Sequence, residues 1–304
     1  VQYYDNSYAL AVSSGSMALR LALIAAGVKH GDNVIVPVYS CSAICNTVLS
    51  LGANVLPCEI DSNTCNIDVS HAVSLANTHK ADVIIAVNTF GIPANISELR
   101  ASGLFVIEDC SHGFALNDDN HPHIQGDVAI QSFYATKLFG AVEMGVLLLN
   151  DEEAHEKLKA RRVGYSEKPD GFCLNIKPDE FNAVLALSKV NGANELLKSR
   201  KNLASRYLGN NLLAKYCVGN LENRVWYRYV ISVNKADELI MSLGSQVEMV
   251  KPITSWVNDL SIYPNAQSAF NKNVSIPLYP CLSNASQDVV ISLVQQQFDR
   301  GIYK

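Results

Sequence analysis

A rhythm of short apolar runs alternating with helical periodicity is the feature that most constrains this chain. Residues 8–13, 34–37, 55–59, 83–87, 104–108, 128–133 and 146–149 are apolar stretches of strand length. Between them, 16–26, 42–51, 69–76 and 152–162 carry apolar residues at helical spacing. Runs that are apolar throughout need cover on both faces, and the intervening helices provide it. The reading is a three-layer α/β/α domain around a mostly parallel, seven-stranded sheet.

After Gly171 the rhythm changes. Residues 178–197 read as one long helix, with Pro178 at its start and an apolar stripe through Phe181, Val184, Leu185 and Leu187. It leads toward a smaller C-terminal α/β domain, where 224–233 read as a strand of aromatics and aliphatics, 236–243 as a helix and 287–298 as a closing helix. The expected division is 1–185 for the large domain and 186–304 for the small one. With 304 residues, 48% of them hydrophobic, the chain can bury more than one minimal core.

A formal net charge of −5 and the lack of any basic cluster give no reason to expect nucleic acid or an anionic membrane as partner. The eight cysteines have no CxxC spacing and read as reduced core residues. Cys41 and Cys45 lie one helical turn apart, but nothing supplies two further ligands, so no metal is expected. The N-terminus has neither a basic nor an apolar leader, and no run reaches membrane-span length, so a soluble cytoplasmic protein is expected.

Four places could carry chemistry. In Ser132-Phe133-Tyr134-Ala135-Thr136-Lys137 a lysine follows directly on an apolar run. Desolvating an ammonium is costly, so a lysine there implies a buried ion pair or an amine held for Schiff-base chemistry. A surface lysine after a strand fits the isolated motif equally well. In Val106-Ile107-Glu108-Asp109 another apolar run ends in a carboxylate. Pyridoxal phosphate (PLP) needs such a group to keep its ring nitrogen protonated, although carboxylates there also cap turns. His112 is placed to hydrogen-bond that cofactor's phenolic oxygen or to serve as a structural histidine. Ser13-Ser14-Gly15-Ser16-Met17-Ala18-Leu19 has the makings of a phosphate-binding helix start, to which the Ser132 hydroxyl would add, or of an ordinary cap. Asn175 reads by default as a turn residue.

Taken in order, five stretches resemble the DegT/StrS family of PLP-dependent sugar aminotransferases, of the aspartate aminotransferase type (PLP transferase fold type I). The segment from Ser13 to Leu23 resembles the family's SGTxALxLAL, and that from Gly31 to Ser40 its GDEVIVPxxT. The segment from Val106 to His112 is similar to VIEDxAQ, that from Gly126 to Lys137 to GDxxxxSFxxxK, and that from Asn175 to Ala183 to NxRMxExQAA. The likeness spans residues 8 to about 208 and returns in the stretch from Val274 to Ser283.

This resemblance implies that Lys137 forms the Schiff base and relays the proton between Cα of the amino donor and C4′ of the cofactor. It implies that Asp109 holds the pyridinium nitrogen and that His112, where Gln is usual, contacts the ring oxygen. Ser16, the Met17 amide and Ser132 would bind phosphate, with Asn175 reaching across from a second subunit, so the implied assembly is a homodimer with a shared active site. Cys41 stands where an aromatic ring usually stacks on the cofactor, Met144 where glycine is usual and Lys177 where arginine is usual. A pocket-closing segment before the first motif is expected to be absent, and the substrate loop between Val250 and Ser268 to be short. The implied reaction moves an amino group from glutamate to a keto group of a nucleotide-linked sugar, in polysaccharide or antigen biosynthesis. Sugar dehydratases of related type usually replace the lysine with histidine, and Lys137 argues against them. A PLP-binding regulatory or degenerate protein on the same fold, and an unrelated α/β binding module, are the other readings.

Overall fold

The computed structural model describes residues 8–113, 124–164, 173–219 and 223–301. The N-terminal stretch through Asn6 and the turn at Gly171 lie outside them. The first half follows the expected rhythm: β1 (Tyr8–Val12), α1 (Gly15–Ala25), β2 (Asn33–Pro37), α2 (Ser42–Leu49), β3 (Asn54–Cys58), α3 (Val69–His79), β4 (Val83–Val87), α4 (Ile96–Ala101), β5 (Phe105–Asp109), β6 (Val128–Ser132), β7 (Gly145–Leu149) and α5 (Glu152–Arg162). The seven strands form one sheet in the order β1-β7-β6-β5-β4-β2-β3. Only β7 is antiparallel to its neighbours β1 and β6. The other six run the same way, so their C-terminal ends share one edge of the sheet, where open α/β sheets bind ligands.

Residue alternation explains the three layers. Val34, Val36, Ile85 and Ile107 point to one face and pack with Leu19, Leu23 and Ile44 of α1 and α2. Ile35, Ile84 and Val106 point to the other and pack with Ala72 of α3 and Leu99 of α4. Every residue of β4 and β6 is buried; β4 accordingly reads as an unbroken apolar run, while β6 also buries Gln131 and Ser132.

The second half departs further from expectation. It contains α6 (Glu180–Asn191), α7 (Ala193–Leu208), α8 (Asn211–Tyr216), β8 (Tyr229–Ser232), α9 (Ala236–Leu243), α10 (Pro264–Lys272), β9 (Asn273–Ile276) and α11 (Asn284–Asp299). The single helix expected over 178–197 is two helices, broken where Gly192 leaves helical geometry at φ −92° and ψ 12°. Glycine is a poor helix former, and the apolar periodicity on either side conceals the break. The stripe on α6 does not enter the chain's own core: Phe181, Val184 and Leu187 are all exposed. The expected strand over 224–233 is only four residues long, because its first half straps the second unit to the large sheet. There the Val225 N–H donates to the Gly91 carbonyl (2.9 Å). Gly91, at φ +82°, has no room for a Cβ against the Val225 carbonyl, so only glycine permits this approach. β8 pairs antiparallel with β9, and α7, α9 and α11 cover them through Leu203, Leu239 and Phe298.

The cysteines are less uniformly buried than expected. Cys58, Cys65 and Cys110 are in the core, whereas Cys41 and Cys281 are exposed.

Candidate active site

The C-terminal edge of the sheet gathers most of the residues singled out above. The start of α1 is capped by Ser14, whose Oγ accepts from the Met17 N–H (3.2 Å). The Met17 amide is therefore engaged within the fold. The Gly15 and Ser16 amides have no acceptor among the described residues. A Cβ on Gly15 would lie 2.8 Å from the Ser132 Cβ, so helix and strand end are in direct contact. Gly145 is pressed in the same way onto the Ser14 carbonyl. The Ser132 Oγ accepts from the Tyr134 N–H (3.3 Å) and keeps its own proton to donate. Open helix amides beside the Ser16 and Ser132 hydroxyls fit a phosphate group.

Asp109 ends β5 one strand away, in register with Ile130 of β6. It is 5% exposed, and its Oδ1 accepts from the Ser111 N–H (2.9 Å). Among the described residues its other oxygen has no donor and it forms no ion pair. A buried carboxylate left without a cation fits a protonated ring nitrogen. The adjoining Glu108 has a different task. Its carboxylate accepts from Asn88 Nδ2 (3.0 Å) and from the Gln125 and Gly126 N–H groups (3.0 and 3.2 Å), tying β4 to the approach to β6.

His112 is packed between two rings, 4.6 Å from Tyr227 and 6.4 Å from Phe90, nearly parallel to both. Its Nδ1 accepts from the Phe90 N–H (3.4 Å), which leaves the proton of the neutral ring on Nε2. Burial, reinforced by the positive charges of Lys137 and Arg228, holds its pKa well below the usual histidine value. It is thus a neutral donor, as a hydrogen bond to a phenolate oxygen requires.

Lys137 lies not on β6 but in the compact turn that follows. Its N–H donates to the Tyr134 carbonyl (2.8 Å), and its carbonyl accepts from the Gly140 N–H (3.0 Å). Gly140 leaves no space for a Cβ against the Ala135 carbonyl. Tyr227 Oη donates to the Thr136 carbonyl (3.2 Å) and clamps the turn from the second unit. The Lys137 Nζ has no hydrogen bond or ion pair among the described residues and lies 6.0 Å from the Tyr227 centroid. Of the two readings of a buried lysine, the ion pair is not found among the described residues, and the free amine remains. Lys137 lines a cavity of about 740 Å³ together with Tyr227, Arg228, residues 246–248 and 275–280 and the start of α11; Asp109, His112, Ser16 and Ser132 lie outside its lining.

Two residues stand apart from this cluster. Cys41 is exposed at the N-cap of α2 and makes no side-chain cap bond. The neighbouring Tyr39 ring cannot serve in its place, being buried with its oxygen accepting from Asn273 Nδ2 (3.3 Å). Asn175 forms an isolated bridge with Val163, and its exposed side chain has no hydrogen-bond partner among the described residues. The adjacent Ile176 carbonyl accepts from the Ser13 N–H (2.7 Å), which sets Asn175 just behind the start of α1.

Sequence reasoning missed Phe90, Tyr227 and Arg228. The run from Arg224 to Val233 has a strand-like alternation that disguised its first residues as sheet. The paired arginines and rings at 224, 226, 227 and 228 were the available signal, since such groups are rarely placed in sheet interiors without a purpose.

Comparison with known proteins identifies the family. The family model described as the DegT/DnrJ/EryC1/StrS aminotransferase family matches residues 1–295. The chain is 27% identical to the spore coat polysaccharide biosynthesis protein SpsC of Bacillus subtilis (strain 168), covering 96% of this chain and 86% of that protein. It is 26% identical to GDP-perosamine synthase of Escherichia coli O157:H7, covering 91% and 82% respectively. The crystal structure of NtdA from Bacillus subtilis with bound cofactor PMP superposes with a TM-score of 0.81 at 25% identity, covering 95% of this chain and 73% of that one. With residues 1–295 matched by the family model, the chain belongs to the DegT/DnrJ/EryC1/StrS aminotransferase family and is a PLP-dependent enzyme.

Proposed function

We propose that this enzyme moves the amino group of glutamate onto a keto group of a nucleotide-linked sugar destined for a polysaccharide. The observation that carries the reading is Lys137, an amine with no hydrogen bond or ion pair among the described residues, in a turn that lines a cavity large enough for a sugar. The sugar class follows the family and relatives such as GDP-perosamine synthase.

PLP supplies the electron sink that allows a proton to leave the donor's Cα. The Lys137 Nζ takes that proton and returns it, which requires an amine that no carboxylate pins. Asp109 keeps the proton on the ring nitrogen, and the neutral His112 donates from Nε2 to the phenolic oxygen. The Gly15 and Ser16 amides and the Ser16 and Ser132 hydroxyls hold the phosphate. The Met17 amide contributes through the Ser14 cap, by fixing the helix start.

We also propose a homodimer in which Asn175 completes the partner's site. Its exposed, unpartnered side chain and the apolar stripe of Phe181, Val184 and Leu187 on α6 support this. The division near residue 185 into a large cofactor domain and a small domain is part of the same proposal. So is a cytoplasmic location, for which the structure offers only that no described helix is long and apolar enough to cross a membrane.

The test is the absorbance spectrum of the purified, PLP-loaded protein before and after glutamate. A yellow band that bleaches, with release of 2-oxoglutarate, is expected. A yellow band that persists would favour a cofactor-binding protein without turnover on glutamate.

A further inference from the structure

Three arginines converge where the second unit meets the large sheet, and two of them are buried and each bonded to three backbone carbonyls. Arg200 is buried with its Nη1 at 3.4, 2.9 and 3.1 Å from the carbonyls of Trp226, Tyr227 and Leu278. Arg224 is buried with its two Nη atoms on the carbonyls of Val218 (2.9 Å), Phe90 (2.9 Å) and Arg228 (3.3 Å).

Arg228 is different. It is only partly buried, on the wall of the Lys137 cavity. One Nη donates to Ser275 Oγ (3.1 Å), and its Cζ lies 5.3 Å from the Tyr227 centroid. Those contacts hold the guanidinium in place and leave most of its five donors unused. It forms no ion pair among the described residues. Lys137, Lys189 and Arg200 line the same cavity, and the one carboxylate on its wall, Glu248, is exposed and pairs with none of them. A cavity with this excess of positive charge calls for an anion.

We propose that Arg228 binds a carboxylate of the amino donor. This rests on the aminotransferase reading above and assigns that reaction's donor pocket. The Lys137 amine and the Arg228 guanidinium lie 6.0 and 5.3 Å from the centroid of one ring, that of Tyr227, so both cations flank the same side chain. The other anion the substrates offer, the diphosphate of a nucleotide-linked sugar, is set off from the reacting carbon by a sugar ring. The planar fork of arginine also matches a carboxylate in two parallel hydrogen bonds.

The experiment is calorimetric titration of the PLP-loaded enzyme with glutarate, which has glutamate's two carboxylates and no amine, and in parallel with GDP. Arg228→Gln is expected to weaken glutarate binding about 10- to 100-fold and leave GDP unchanged. Arg228→Lys restores the charge without the fork and should recover only part of the affinity. Ser275→Ala, which frees the guanidinium while keeping it, should give a smaller loss that Ser275→Thr rescues. The cofactor's absorbance verifies that each variant is folded and loaded. Unchanged glutarate affinity in Arg228→Gln, or a loss confined to GDP, overturns the assignment. The two proposals separate cleanly. Glutarate held through Arg228 by an enzyme that glutamate does not bleach refutes the donor reading and upholds this site, whereas bleaching with the same glutamate dependence in Arg228→Gln refutes this site alone.

Discussion

The seven-stranded sheet and the two-stranded one are stabilised differently. In the large sheet, β4 and β6 bury every residue, and helices on both faces complete the core. A two-stranded ribbon such as β8-β9 cannot hold itself together and depends on its helices and on its junction with the large sheet. That junction is polar: Arg224 lies 4.1 Å over the Trp226 ring and gathers carbonyls from the loop after β4, the end of α8 and the strap before β8. Burial pushes its pKa down to about 10, so it stays protonated at neutral pH with carbonyl dipoles as its solvation. The proposed cofactor residues thus sit on the self-supporting sheet, while the proposed substrate wall hangs from a few buried hydrogen bonds.

The comparison can be broken at either side. Lys137→Ala has the largest expected effect on the cofactor side: the yellow absorbance and all transamination with glutamate should vanish while the unfolding temperature is retained, because Lys137 packs against little. A variant still active with glutamate would remove Lys137 from the chemistry. Asp109→Asn should keep PLP bound but slow the glutamate half-reaction by orders of magnitude, since an unprotonated ring is a poor electron sink. Near-normal single-turnover rates would exclude that role.

On the substrate side, Arg224→Met strands three buried carbonyls and should cost about 3 kcal/mol of stability, read from denaturant unfolding. A neutral result would mean that the strap is held by Val225 and Gly91 alone.

His112 joins the two sides and gives the smallest effect. Its folded pKa lies below the ordinary 6.5, so as pH falls through that value the unfolded chain takes up a proton that the folded one refuses. The stability that His112 contributes is present above about pH 6.5 and is lost on acidification, at up to about 1.4 kcal/mol per pH unit. His112→Gln should flatten stability against pH between about 7.5 and 5 relative to the parent. Equal slopes in the two proteins would show that the histidine is not buried in its neutral form.

Much of the cofactor side was legible in the sequence. Seven apolar runs matched seven strands, and Asp109, Ser132 and Lys137 lie at or just beyond the ends of runs that end on one edge. Asn175 and Cys41 were recognisable by motif alone, and within this chain neither side chain meets the cluster. The Met17 amide shows the limit of a local rule: the helix starts where expected, but Ser14 has already taken that particular donor.

The sequence by itself determined the layered architecture and the order in which chemical groups arrive at the sheet edge. Burial on two faces imposes a pattern within a few residues, and strand direction then follows from the crossovers. Only the tertiary structure decided that β7 runs against its neighbours, that the helix breaks at Gly192, that the α6 stripe faces outward, and that Tyr227 and Arg228 close the Lys137 cavity. Each of these depends on a partner distant in the chain, as Gly91 is from Val225, and local periodicity reports that a residue is buried without recording what buries it.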